Sequence, residues 1–371
     1  MVSTVHIRAL KFRVVSCTLF WDRSFDAMES TKIRYQWIDN AKFASIFLIV
    51  FFHSPPVLTG FSGLMLSELR LPSFFFVSGL LFNFERHPSF FEFLRYRGKQ
   101  LLIPYFCFFI IFYVYWLIIG KSMSSPEEQA TPFYSPLLEY LYGRPKLVCL
   151  PLWFLACLFA MQSSFYLFRK FKNRSVTLII LVAISLLPSL TDMSHLPWML
   201  ENVCLYIPFY GFASLYRKEI FRFMENKRRF SIGLVMLLLH IACYFIYSCV
   251  ENETVKSALR LAGSFAVIVP FFILIKLVSE KELPKVIRYT GANTVIVLAF
   301  HTYGITLLMF VFHNISIINT FITEFPYLSK FLISVIVMFA MLAPIYFVNK
   351  YLPFIIGREK SAKNKDFRFI N

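Results

Sequence analysis

The chain has 371 residues, 58% of them hydrophobic and 16% charged, with 46 Phe and a formal net charge of +17. Polar surface this scarce cannot cover a globule in water, so the composition excludes a water-soluble domain and indicates an integral membrane protein. Seven cysteines without C-x-x-C spacing, mostly inside apolar runs, argue against a disulfide framework or a zinc site and are expected to pack as small hydrophobes.

In chain order, the first 27 residues carry a weak basic-then-apolar pattern (RALKFRVVSCTLFW) with no small-residue cleavage site, and a polar lead-in follows Met28. Residues 1–27 are therefore expected to be dispensable, within a cytoplasmic N-terminal segment 1–33. Ten apolar stretches of spanning length, roughly 17 to 25 residues each, follow. They fall near 39–60, 64–84, 101–120, 147–168, 175–191, 198–216, 230–250, 257–279, 291–313 and 328–349. Pro72 and Ser78-Gly79 interrupt the second, Pro208 and Gly211 the sixth; such breaks are tolerated where a helix lines an enclosed cavity. The segment 121–146 is expected to be an outer loop, read either as plain or as a lid, and no internal repeat is present. The expected fold class is all-α, a polytopic membrane helical bundle of about ten transmembrane helices. It comprises one membrane domain at 34–350 and a basic cytoplasmic tail at 351–371.

The charge is unevenly placed. Arg86, Arg95, Arg97 and Lys99 follow the second stretch, Arg169, Lys170, Lys172 and Arg174 the fourth, and Arg217, Lys218, Arg222, Lys227, Arg228 and Arg229 the sixth. Lys281, Lys285 and Arg288 follow the eighth, whereas the alternate loops hold little beyond Lys121, Arg144, Lys146 and Lys256. This is the asymmetry of cytoplasmic loops, so both termini are expected inside. The basic charge is read as topological, and the bilayer rather than nucleic acid as the partner it implies.

Inside the first stretch one histidine, His53, lies among apolar residues, and an ionisable group at membrane depth costs several kcal/mol. Eleven residues separate it from Lys42, three helical turns plus about 20°, so both fall on one face about 16 Å apart. Asp39, Ile46 and Ile49 share that face. A cation at the cytoplasmic mouth with an imidazole deeper in suits a donor with an anionic head and a long arm, such as an acyl-CoA. His53 would then act as general base on a hydroxyl. Two readings of Lys42 stand side by side, donor binding and interfacial snorkelling; for His53 the alternative is a neutral core histidine bonded to a carbonyl.

Several ordered motifs now carry a resemblance. They are R-x-x-W-I-D-x-x-K-x10-H from Arg34 to His53, L-P-x-F-F-F-x-S-G from Leu71 to Gly79, R-x-x-x-L-L-I-P-Y from Arg97 to Tyr105, L-W-F-L from Leu152 to Leu155, and G-x-N-x7-H from Gly291 to His301. In this order they resemble the acyltransferase-3 family of integral membrane acyltransferases, and within it the bacterial O-acetylases of the fucose 4-O-acetylase type. The resemblance spans roughly 34–350. It implies transfer of an acyl group, usually acetyl from acetyl-CoA as donor substrate, to a hydroxyl of a sugar in an envelope or exopolysaccharide glycan, at the bacterial inner membrane. The acceptor is a free or lipid-linked glycan; no permanently bound cofactor and no metal are expected.

Carried onto this chain, the K/R-x10-H motif makes His53 the catalytic candidate and Lys42 a donor-binding one, with Asp39 grouped beside His53. Arg95, Arg97 and Lys99 complete the expected donor set. Relatives often carry R-x-x-R before the third helix, whereas here Gln100 follows Arg97, which removes one bidentate phosphate grip. Arg70 stands where several relatives have His and is either an acceptor contact or an interfacial anchor. Ser78, Trp153 and His301 are candidate acceptor or orienting residues, against packing as the plainer reading for Ser78 and Trp153 and a satisfied buried histidine as the alternative for His301. His240 and His313 match no motif and are expected to be structural. The competing class, a transporter or flippase of lipid-linked sugars, would show paired charges along a pathway or a repeat between halves, and the sequence has neither.

Overall fold

A computed structural model describes residues 36–84, 89–171, 173–313 and 315–358. Segment 1–33, Arg34 of the first motif, Arg86, Lys172 and the tail beyond Arg358 lie outside the described residues. The principal helices are α1 (Gln36–His53), α2 (Gly60–Leu80), α3 (Phe90–Tyr115), α4 (Trp153–Leu167), α5 (Arg174–Leu186), α6 (Leu200–Leu215), α7 (Arg229–Cys249), α8 (Glu253–Val278), α9 (Lys285–Ala292), α10 (Thr294–Phe312), α11 (Pro326–Ala340) and α12 (Leu342–Tyr351). The described residues contain no strand.

Six segments are long and apolar enough to cross a membrane: Phe90–Met123, Leu150–Lys170, Arg229–Cys249, Glu253–Val278, Thr294–Phe312 and Pro326–Tyr351. The other four stretches expected to span are helical as well, but shorter or more polar. α5 has 13 residues and α6 has 16. α1 and α2 lose hydropathy because they bury polar groups inside the bundle, Asp39, Asn40 and Ser45 on α1, and Glu68 and Ser73 on α2. Low hydropathy here marks inner helices, which meet protein rather than lipid. α7 is the opposite case: Leu234, Val235, Leu238, Leu239, Phe245 and Ile246 face outward, the apolar belt a bilayer requires.

α1 is the central helix, packed against α2, α8, α9, α10 and α11. Its inward stripe is as expected, with Asp39, Ile46 and Ile49 all buried. Its length is not. The helix ends at His53 instead of running to 60, because Pro55 lacks an N–H and disfavours the helical conformation of the residue before it. His53 therefore sits on a helix terminus, among carbonyls that have no partner within α1.

The breaks anticipated in the second and sixth stretches are absent. α2 runs unbroken through Pro72, Ser78 and Gly79, and α6 through Pro208 and Gly211. The glycines serve close approach instead: a Cβ at Gly79 would collide with the Tyr210 carbonyl of α6, and one at Gly291 with the Asp39 carbonyl of α1. The segment 121–146 is not a plain loop; it forms short helices at Pro126–Gln129 and Ser135–Leu141. Arg144 ties it to the loop before α6 through the Leu196 carbonyl and Glu201. Residues 353–356 pack back on α3, where a Cβ at Gly357 would meet the Lys99 carbonyl. In the same region Arg358 donates to Asn349, whose amide donates to Asn293 of the last motif.

Candidate functional site

Two histidines meet at the end of α1. The rings of His53 and His301 lie 5.1 Å apart, tilted by 33°. His301 is fully buried on α10, and its Nδ1 contacts the carbonyls of Val297 and Leu298 at 3.1 and 2.9 Å. A carbonyl only accepts, so the His301 proton sits on Nδ1 and Nε2 is an acceptor. Nε2 of His301 and Nδ1 of His53 are both buried with no hydrogen-bond partner. Two imidazoles thus lie side by side with unused nitrogens, the state expected where a proton is to be moved or a third group received.

Two cations flank this pair. Arg70 of α2 stacks its guanidinium on Phe52, 3.6 Å from the ring centroid, and Phe52 in turn lies edge-on to His53 at 5.2 Å. Lys330 of α11 is buried within electrostatic reach of His53. Its ammonium donates to the carbonyls of Phe52 (3.3 Å), Ser54 and Pro56 (2.9 Å). It therefore caps the free carbonyl end of α1, where a positive charge also complements the helix dipole. Ser334, one turn along α11, donates to Ser54 Oγ at 3.0 Å and to its own Lys330 carbonyl at 2.7 Å as alternative partners. Sequence reasoning missed Lys330 and this serine pair. The signal was a lysine inside the last apolar stretch; its partners are visible only in the folded bundle.

Toward the other end of α1 lies a cavity of about 290 Å³. Lys42 and Ser45 of α1, Ser78 of α2, Arg97 and Gln100 of α3, Gln162 of α4 and Thr294 of α10 supply its polar lining; Phe154, Leu158 and Leu298 are among its apolar walls. Leu298 belongs also to the carbonyl pair that holds His301, so one turn of α10 touches both places. Lys42 is partly exposed and bonded to Asp39 at 3.3 Å. Arg97 donates to Gln100 Oε1 at 3.0 Å and keeps a buried Nε without a partner. Gln100, which looked like a defect in the basic motif, orients the arginine and lines the same cavity.

The remaining candidates separate. Asp39 is 14 residues from His53 on one helix, about 21 Å along the axis, and pairs with Lys42; it stands at the cavity end and not beside the imidazole. Arg95 and Lys99 are exposed and do not line the cavity. Trp153 packs edge-on to Phe154 at 6.0 Å, and Phe154 takes the cavity wall. Ser78 does reach it. His240, expected to be structural, lies buried with Nδ1 3.4 Å from Glu68 Oε2 and 3.1 Å from the Gly263 carbonyl, between α2, α7 and α8. Among the described residues no three His, Cys, Asp or Glu side chains are grouped to hold a metal ion.

A bundle of spanning helices with two neighbouring imidazoles at one end of its central helix and a cation-lined cavity toward the other belongs among polytopic membrane proteins. The family described as an acyltransferase domain matches residues 35–349, and the chain belongs to it, the acyltransferase-3 family. Membership makes acyl transfer the general activity and does not favour the flippase alternative. No curated protein and no solved structure matches the chain.

Proposed function

We propose that this acyltransferase moves acetyl from acetyl-CoA to a hydroxyl of an envelope or exopolysaccharide sugar, with His53 as the base. The observation that supports this most is the division of α1. Lys42 and Arg97 line a narrow, mostly apolar cavity at one end, suited to the phosphates and arm of a coenzyme A thioester. His53 stands about 16 Å further along, where the acceptor would be activated. His301, with its proton fixed on Nδ1, offers Nε2 to hold the His53 ring in one orientation.

In the direct route His53 takes the hydroxyl proton as the oxygen attacks the thioester carbon; the C–O bond forms, the C–S bond breaks, and the proton passes to the departing thiolate. In the relay route a His53 nitrogen attacks the thioester carbon, the C–S bond breaks and the thiolate leaves with the ring proton; the sugar oxygen then takes the acetyl group from the ring, whose freed nitrogen accepts the hydroxyl proton. Both place the donor on the basic, cytoplasmic side and the acceptor on the other. With the charge asymmetry of the loops, this reading has the four polar or shorter helices crossing with the six apolar ones, ten in all, and both termini inside the bacterial inner membrane.

His53→Ala should lower O-acetate on purified surface glycan at least about a hundredfold, the share of a general base. Undiminished acetate with normal amounts of His53→Ala protein in the membrane would refute the assignment.

A further inference from the structure

We propose that Arg70 is an anion-receiving site, and that the acceptor brought to His53 carries an oxyanion, a carboxylate or a phosphate, which this guanidinium holds. The inference rests on reading His53 as the acceptor-side base and adds the chemical class of the acceptor.

Several buried and half-buried cations elsewhere in the bundle have acidic partners, and Arg97 and Arg358 have side-chain amides, Gln100 and Asn349. Lys42 has Asp39, Arg144 has Glu201, Arg229 has Glu280 and Lys276 has Glu225. Lys330 has its three carbonyls. Arg70 is half-buried within a helix that crosses the bundle, yet among the described residues its guanidinium makes no ion pair and no hydrogen bond, and its Nε is buried without a partner. Glu68, two residues earlier, cannot serve it, because that carboxylate turns to His240 on the other side of α2. Leaving a cation desolvated and unpaired is costly, by several kcal/mol where burial is deep. The arrangement is economical only if an anion arrives.

The geometry fits that arrival. The guanidinium carbon lies 3.6 Å over the Phe52 ring, and with no hydrogen-bond partner its N–H groups remain available to grip carboxylate or phosphate in a two-pronged contact. The ring it stacks on is the neighbour of His53, so an anion held there sits beside the imidazole pair. The second cation, Lys330, already spends its donors on the end of α1 and does not compete. Two cations and two neutral-capable imidazoles make this end of α1 net positive, which draws anions and repels cations. A neutral hydroxylic acceptor would leave Arg70 as it is now, without a partner.

The test uses the full-length protein in detergent. Diethyl pyrocarbonate modifies accessible imidazoles, and its rate at His53 is read on the His53 peptide by mass spectrometry. The probes are glucuronate, glucose 1-phosphate and glucose, at matched ionic strength. An oxyanion on Arg70 would shield His53, so glucuronate, glucose 1-phosphate or both should slow its modification while glucose does not. Protection by glucuronate alone identifies a carboxylate, by the phosphate alone a phosphate; protection by both supports the shared chemistry. In Arg70→Gln the half-protecting concentration should rise about tenfold, the loss of one charge-assisted contact. Arg70→Lys, which keeps the charge and burdens the fold least, should retain part of the protection; it stands in should the glutamine variant not fold. No protection by either anion, equal protection by glucose, or unchanged protection in Arg70→Gln overturns the proposal. None of these outcomes bears on whether His53→Ala loses acetate transfer, so failure here is distinct from failure of the proposed activity.

Discussion

A histidine that acts on a hydroxyl must keep one nitrogen bare and the ring still. His301 meets the first need by fixing its own proton on Nδ1 through two main-chain carbonyls, which leaves Nε2 free to accept from His53. His301→Ala should therefore reduce kcat by about tenfold to a hundredfold, as loss of an outer partner does elsewhere, with KM for acetyl-CoA unchanged. His301→Gln, which keeps a donor and an acceptor, should restore part of it, an outcome that mere cavity formation would not give. Lys42→Ala should do the reverse, raising KM for acetyl-CoA about tenfold while kcat holds. If instead kcat falls and KM stays, Lys42 does not hold the donor. His53 was legible in the sequence because an imidazole inside an apolar run demands a reason. Its partner was legible only as a motif position, since nothing in the spacing of His301 says which ring it will face.

At the scale of the element, the end of α1 is held from outside. Three carbonyls of residues 52, 54 and 56 point at one ammonium, and Ser334 grips Ser54 beside it. Lys330→Met keeps the volume but strips the donors, leaving buried acceptors unsatisfied at a cost of about 2 kcal/mol. A lower melting temperature together with reduced kcat and unchanged KM for acetyl-CoA is expected, and Lys330→Arg should recover much of the stability. A melting temperature equal to that of the native protein would show that the cap contributes nothing. The point where α1 stops is where sequence reasoning erred most. Apolar periodicity carried the helix through to residue 60, although Pro55 and Pro56 already stated that it could not continue. Ser78-Gly79 carried two readings, an interruption and a close helix approach; the helix is unbroken there and Gly79 lies against α6. Proline and glycine report on the local chain; which of their uses applies is decided by the neighbour, and the neighbour is tertiary.

For the molecule as a whole, hydropathy located the outer helices and underrated the inner ones. α1 and α2 fall short of the hydropathy of the six apolar segments because they carry Asp39, Asn40 and Glu68 into the bundle, so polarity within a stretch of spanning length pointed to helices that line the candidate site. The proposed orientation, read from loop charge, is open to direct test. In a Cys249→Ser parent, which removes an exposed thiol, Glu127→Cys should react with a membrane-impermeant maleimide in intact cells, and Lys227→Cys only after permeabilisation. The reverse pattern would invert the topology and put the cavity lined by Lys42 and Arg97 on the side away from the proposed donor. Residues 353–358 return to the backbone of Lys99, next to Gln100 and a turn from Arg97, and Arg358 hooks into the Asn349–Asn293 pair. A reporter or affinity handle fused directly after Lys350 would evict this latch and unsettle the mouth of the cavity; a fusion that begins beyond Arg358 leaves the door frame in place.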